Sequence, residues 1–112
     1  MSAIAVSLSD VALRRRAEYR RQVGRRLTEI DGALDLLKER LRDADGSLLE
    51  HGRKLVTVLA DRRKNLDGAV EELMRAPEEE WTWQKREIED ARERLFDLVD
   101  AALAEYVLGA RF

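Results

Sequence analysis

Seven arginines lie among the thirteen residues from 14 to 26, in the stretch RRRAEYRRQVGRR. A guanidinium group donates hydrogen bonds in a planar fork that suits phosphate and carboxylate oxygens equally well. Four interpretations are open: contact with nucleic-acid phosphates, ion pairs with acids elsewhere in the chain, contact with a lipid headgroup layer, or a helix face that is simply solvated. The candidate nucleic-acid contacts spread over more than one helix face: Arg14, Arg15, Arg16, Arg21, Arg25 and Arg26.

Residues suited to catalysis or metal binding are sparse. The chain has one histidine, His51, and no cysteine, so disulfides and thiolate metal sites are excluded. Carboxylate-bridged metal bundles require Glu-x-x-His pairs, and none occurs. The glycines form neither a G-x-x-x-x-G-K-[ST] nor a G-x-G-x-x-G phosphate loop. We therefore predict no catalytic residue, no metal site and no cofactor, and a chain that is not an enzyme.

Aromatic residues supply the other specific signal. Trp81 and Trp83, in WTWQ, are two positions apart and so about 200° apart around a helix. We expect Trp81 in the core and Trp83 pointing outward or sideways, either packed against the rest of the chain or free as a protein-contact residue. Tyr106 and Phe112 give the terminal YVLGARF an apolar character that suits packing or a partner.

The composition that must position these residues is typical of long helices. Charged residues make up 39% and apolar residues 45%, with a single proline in 112 residues. The strongest pattern is a heptad seam with alternating spacings of four and three. Its members are Val23, Leu27, Ile30, Leu34, Leu37, Leu41, Ala44 and Leu48. A seam on the last helix carries Trp81, Ile88, Ala91, Leu95, Leu98 and Ala102.

Two interruptions divide this pattern. Gly46 suits the left-handed conformation beyond a helix end, and Ser47 to Glu50 has the form of a capping box; the alternative is one continuous helix to residue 75. Pro77 suits the first position of a new helix, followed by an acidic first turn. We predict a loose tail at 1–9 and helices at about 10–44, 48–75 and 78–108. They form one all-α domain, an elongated antiparallel three-helix bundle with coiled-coil-like heptad packing.

The seam of the second helix contains Arg62, at a position where a core residue is expected. Arg62 either forms, with Arg63, a polar layer that sets register or oligomeric state, or its side chain reaches from the seam edge into water. Both arginines, with Trp83, Tyr106 and Phe112, are the candidate partner-binding residues.

Charge and register favour internal partners for the arginines. Residues 1–30 carry a net charge of +4, and residues 76–112 carry −5. Counting back from the two turns places helix 1 residues level with helix 3 residues about 60 positions later. The basic stretch then lies beside Glu78 to Asp90, with Arg20 level with Glu80 and next to Trp81.

The sequence therefore predicts a protein–protein interaction module: an adaptor, assembly factor or chaperone-like bundle that self-associates, most simply as a homodimer. Nucleic-acid binding through the arginine stretch is the alternative, and the sequence pI of about 5.5 argues against it. No run of 18 apolar residues exists, so no membrane span is expected. The lack of cysteine suits a cytoplasmic location.

Overall fold

The computed structural model describes the backbone of residues 2–107 and the side chains of residues 10–107. Three helices account for nearly all of this part: α1 at Ser2–Leu41, α2 at Gly46–Arg75 and α3 at Glu78–Tyr106. Short turns make sequential helices antiparallel, and each helix contacts both of the others. The extents of 67 × 19 × 18 Å confirm the predicted elongated, all-α three-helix bundle.

The predicted seam of α1 is buried from Val23 to Leu41, and Tyr19 extends it by one turn toward the amino terminus. In α2 the buried residues are Gly52, Leu59, Leu66, Val70 and Leu73. In α3 they are Trp81, Ile88, Leu95, Val99 and Ala102. Leu98 was expected on the α3 seam but is 37% exposed, because Val99 takes the inward place. Coiled-coil-like packing along these seams stays a prediction.

The first break lies where Gly46 indicated. Gly46 has a φ of 58°, so one continuous helix to residue 75 is excluded. The residues after Leu41 turn through tighter backbone bonds, including one from Ala44 N to Leu41 O of 3.2 Å. The helix cap is Asp45, not the predicted Ser47. The sharp turn at Gly46 lets the carbonyl of Asp45 accept a bond from Leu49 N, so α2 begins before Ser47.

The second break lies at Ala76 and Pro77, whose ψ angles of 146° and 149° are extended. We expected Pro77 to be the first residue of α3. It instead precedes the helix, which begins at Glu78. Its carbonyl accepts a bond from Glu80 N at 2.9 Å. The acidic first turn of α3 is as predicted, and Glu78 therefore lies where the helix dipole favours negative charge.

Helix α1 begins at Ser2, and not near residue 10 after a loose tail as predicted. The reason is that no glycine or proline precedes Gly24, so nothing ends the helix in that stretch. Arg16 contacts the α2–α3 turn, so the residues before it extend beyond the other two helices. Val11 and Leu13 lie on this extension and are 49% and 62% exposed.

Candidate interaction surface

An open groove runs between α2 and α3 on the side of the bundle away from α1. It encloses about 750 Å³ and has apolar residues at its base with charged residues along its rims. We call it the α2–α3 groove. Its lining residues are Arg62, Asn65, Leu66, Ala69, Glu72, Trp83, Gln84, Glu87, Ile88, Asp90, Ala91 and Arg94. Helical spacings of three and four bring them together, as in Arg62, Asn65 and Ala69 on α2.

The two tryptophans lie on opposite sides of α3, as their separation around the helix requires. Trp81 is 8% exposed and packs edge-to-face on Tyr19, with 5.8 Å between ring centroids and 74° between planes. Arg16 lies over the Trp81 ring at 5.0 Å from its centroid. Trp83 is 50% exposed and lines the groove, as does the small side chain of Ala69. A large apolar ring is thus presented to solvent beside a shallow depression.

Arg62 and Arg63 point in different directions. Arg63 is turned toward α1, where its Nε and Nη2 donate to the two carboxylate oxygens of Asp31 at 2.8 and 3.1 Å. It also pairs with Asp67, and its side chain is 19% exposed. The hydrogen bond to Asp31 raises the pKa of Arg63 above its ordinary value. Arg63, and not Arg62, is thus the arginine that pairs with α1, at the partly exposed edge of the core. No polar or charged residue among those described is buried, so the polar layer suggested for Arg62 does not form inside this bundle.

Arg62 itself is exposed and lines the groove. Within residues 10–107, no acid lies at ion-pair distance from its guanidinium group. The prediction that Arg62 reaches from the seam edge into water describes this position. Arg62 is exposed because α2 is rotated slightly about its axis from the orientation that the predicted seam implies. This rotation buries Val70, leaves Ala69 half-buried and brings Arg63 to face α1.

The basic stretch divides into three groups. Arg16 and Arg20 bind acids of other helices, Glu78 at 3.0 Å and Glu71 respectively. Arg21 and Arg26 bind acids of their own helix, three residues away. The third group is Arg14, Arg15 and Arg25, which are exposed and have no acid within ion-pair distance among the described side chains.

Arg16, and not Arg20, occupies the place beside Trp81. Its Nη1 donates to the carbonyl oxygen of Met74 at 3.0 Å, in the last turn of α2. Its Nη2 donates to Glu78 in the first turn of α3. The Arg16 side chain is only 12% exposed, so this cation stabilises the turn between the two helices. The expected contact of Arg20 with Glu80 or Trp81 is wrong by one helical turn.

Tyr106 and Phe112 are the candidates that remain. Tyr106 is at the opposite end of the bundle, where its ring stacks on His51 with 6.4 Å between centroids. Phe112 lies outside the described residues. The groove and the arginine stretch are separate surfaces. Of the four predicted partner-binding residues that the structure describes, Trp83 and Arg62 line the groove, whereas Arg63 and Tyr106 do not.

Sequence reasoning missed two exposed apolar residues that continue the groove away from the α2–α3 turn. Val58 is 46% exposed and lies one turn before Arg62, on the same face of α2. Leu98 is 37% exposed and lies one turn beyond Arg94 on α3. The spacing of 58, 62, 65 and 69 marks this second stripe, which lies one residue away from the seam of the core.

No cluster of three or more His, Cys, Asp or Glu side chains that could hold a metal ion occurs in the described part of the chain. Among the same residues, no helix has the length and apolar character needed to cross a membrane. Comparison with known proteins gives no family model, curated protein or solved structure that matches this chain. The surface chemistry of the bundle is therefore the basis for any functional inference.

Proposed function

We propose that the chain is a non-enzymatic protein–protein interaction module, an adaptor or assembly factor, whose α2–α3 groove receives an amphipathic helix of a protein partner. The observation that carries this proposal is Trp83, half-exposed at the edge of the groove. A tryptophan buries a large area at low cost in conformational entropy when a partner covers it, and it is enriched among residues that dominate binding energy.

The shape of the groove supports a helical occupant. Two antiparallel helices, α2 and α3, form its walls. A helix of the partner laid between them, with its apolar face inward, makes a four-helix arrangement together with α1. The small side chains of Ala69 and Ala91 leave room for larger side chains of the occupant. The charged rims formed by Arg62, Glu72 and Glu87 suit a helix that carries charges beside its apolar stripe.

Site-specific cross-linking tests this function. A benzophenone side chain is introduced at position 83, or at the exposed neighbour Thr82 as a matched control that points about 100° away around the helix. After irradiation in nuclease-treated extract of the native cells, we expect a protein adduct from position 83 and none from position 82. Equal adducts from both positions, or none from either, would contradict the proposal.

Nucleic-acid binding is the second candidate. It is favoured by the exposed arginines Arg14, Arg15 and Arg25, which make no ion pair with any side chain that the structure describes. Each phosphate neutralised by a cation contributes about −0.9 to the slope of log affinity against log salt concentration. Fluorescence anisotropy with a labelled DNA duplex measures that slope. A slope near −3 that falls to zero when all three arginines are replaced by glutamine supports this function, and no binding at low salt contradicts it.

A further inference from the structure

A second cavity lies between α1 and α2, near the turn that joins them. It has a volume of about 410 Å³, within the range of about 300–1,000 Å³ that is usual for small-molecule sites. We call it the α1–α2 pocket. Its lining residues are Lys38, Leu41, Arg42, Leu49, Arg53, Val56 and Thr57. None of them lines the α2–α3 groove, so the two cavities are separate.

The base of the α1–α2 pocket is apolar. Leu41 is buried, and Leu49 and Val56 are half-buried, so these side chains are less exposed than the charged ones around them. Leu49 and Val56 are seven residues apart on α2, which extends the base over about 10 Å along the helix. A narrow apolar base of this length suits an alkyl chain, because removal of CH₂ groups from water is favourable.

The charged residues of the pocket are all cations. Lys38 and Arg42 come from α1 and the turn after it, Arg53 comes from α2, and all three are exposed. None makes an ion pair with any side chain described between residues 10 and 107. No acid is among the lining residues, although acids outnumber basic residues in the whole chain by 23 to 21. The charge of the pocket is therefore complementary to an anion.

The carboxyl end of α1 accounts for only part of this positive charge. Lys38 lies in the last turn of α1 and Arg42 directly after that helix, where the helix dipole favours cations. Arg53 lies seven residues after the first residue of α2, so neither end of its helix stabilises it in this way. Its position on the same apolar depression as the other two favours a ligand that carries both negative charge and apolar surface.

We propose that the α1–α2 pocket binds a small anionic amphiphile, a single-chain carboxylate of the fatty-acid class. The carboxylate lies among the three cations, and the alkyl chain covers the apolar base. Charge complementarity selects the anionic head. The volume is a little over half that of the α2–α3 groove, which suits one alkyl chain better than a helix. Because the two cavities are separate, this inference does not depend on the proposed function.

Decanoate, kept below the concentration at which it forms micelles, is the probe. In a ¹H–¹⁵N NMR titration of the full chain, we expect saturable shifts of the amide resonances of the lining residues. Butyrate keeps the carboxylate and loses most of the chain, and decyltrimethylammonium keeps a chain of similar length and reverses the charge. We expect each to bind at least about ten-fold more weakly than decanoate. The absence of saturable shifts, shifts centred on Trp83, or equal binding of either control compound overturns the inference.

A charge reversal tests the binding of the carboxylate. Arg53→Glu replaces one of the three cations by an acid, and we expect the affinity for decanoate to fall at least about five-fold. Lys64→Glu is the matched control, because Lys64 is exposed on the same helix and lines neither cavity. We expect it to change the affinity by less than about two-fold, since screening by salt weakens distant charges. Far-UV circular dichroism checks that both variants stay helical. Equal losses would mean that decanoate responds only to net charge, which overturns the site.

Vesicles separate a free amphiphile from a membrane surface as the source of the anion. Vesicles of phosphatidylcholine and phosphatidylglycerol present anionic headgroups whose alkyl chains are already buried. We expect the wild-type chain to stay in the supernatant when these vesicles are sedimented. Co-sedimentation that is lost in Arg53→Glu and kept in Lys64→Glu would assign the cations to a lipid surface, and it overturns the proposal of a single bound amphiphile.

Discussion

The pair of helices α2 and α3 has two sides, and the arginines on these sides differ in whether they bind other groups of the chain. On the side that faces α1, Arg63 is held by both oxygens of Asp31, and Arg16 caps the turn through Met74 and Glu78. On the opposite side, Arg62 has no ion-pair partner among the described residues although it directly precedes Arg63. One step of about 100° around the helix separates these two environments.

The tryptophans repeat this contrast in the apolar residues. Trp81 is enclosed by Tyr19 and Arg16 on the inner side, whereas Trp83 is half-exposed on the outer side. Residues on the inner side make their contacts within the chain, so they determine how the helices are arranged. Residues on the outer side contribute little to that arrangement, and their chemistry is available for a partner.

Truncation of the two tryptophans gives the largest expected difference. Trp81→Ala removes a buried ring from the core, and we expect the free energy of unfolding to fall by about 3–5 kcal/mol. Trp83→Ala removes a ring that is half in solvent, and we expect a fall below about 1 kcal/mol. Urea denaturation at a concentration where the chain is monomeric measures both values. Equal losses would show that the two sides do not differ as described.

Tyr19 extends the comparison to pH. Burial, followed by the negative charge of Glu89, raises the pKa of Tyr19 to about 12 from its usual value near 10. The neutral phenol is favoured in the folded state. Its contribution to the free energy of unfolding is therefore complete below pH 10 and is lost as the pH rises from 10 to 12. The loss is at most about 2–3 kcal/mol, at 1.36 kcal/mol per pKa unit.

The matched control for this effect is Tyr19→Phe. The buried hydroxyl of Tyr19 has no hydrogen-bond partner among the described residues. We therefore expect its removal to leave the free energy of unfolding unchanged or slightly higher at pH 7. Between pH 10 and 12 the variant should lose less stability than the wild type, because the ionisable group is gone. Thermal unfolding followed by circular dichroism across this range measures the difference. Parallel curves would mean that Tyr19 ionises as an exposed tyrosine does.

The sequence predicted features that depend on short-range patterns. The α1 seam from Val23 to Leu41 repeats often enough to define a buried face, and Gly46 and Pro77 impose their breaks through local backbone chemistry. The rotation of α2 about its own axis was not predictable in this way. Ala69 and Val70 are both apolar, so their order of burial depends on how α1 and α3 pack around them.

Side-chain pairing between helices was predictable only to within a turn. Counting residues along the bundle placed Arg20 beside Trp81, and Arg16 is there instead, one turn earlier on the same face of α1. Counting fixes the order of residues along the axis but not their exact height, because α1 ends at Leu41 and not at residue 44. The groove was missed for a related reason, since Leu98 was assigned to the core stripe that Val99 occupies.

The adjacent arginines give a smaller expected effect than the tryptophans. Arg63→Ala leaves Asp31 and Asp67 without their shared partner. We expect the free energy of unfolding to fall by about 1–2 kcal/mol, a modest value because both acids are partly exposed. Arg62→Ala should change the stability of the monomer by less than about 0.5 kcal/mol. Urea denaturation at high dilution checks both. A loss for Arg62→Ala as large as that for Arg63→Ala would indicate an unrecognised partner of Arg62 within the chain.

Glycine replacement gives the smallest expected difference between inward and outward positions. Gly32 is exposed within α1 and has open space where a Cβ would lie, so Gly32→Ala should stabilise the fold by about 0.5–1 kcal/mol. Gly52 is buried against α1, and a Cβ there would lie 2.3 Å from Cδ2 of Leu41. The leucine must therefore move, and we expect Gly52→Ala to bring no net stabilisation in thermal unfolding, because lost packing around Leu41 offsets the gain in helix propensity. A gain equal to that of Gly32→Ala would show that the contact between α1 and α2 at Gly52 is looser than this distance implies.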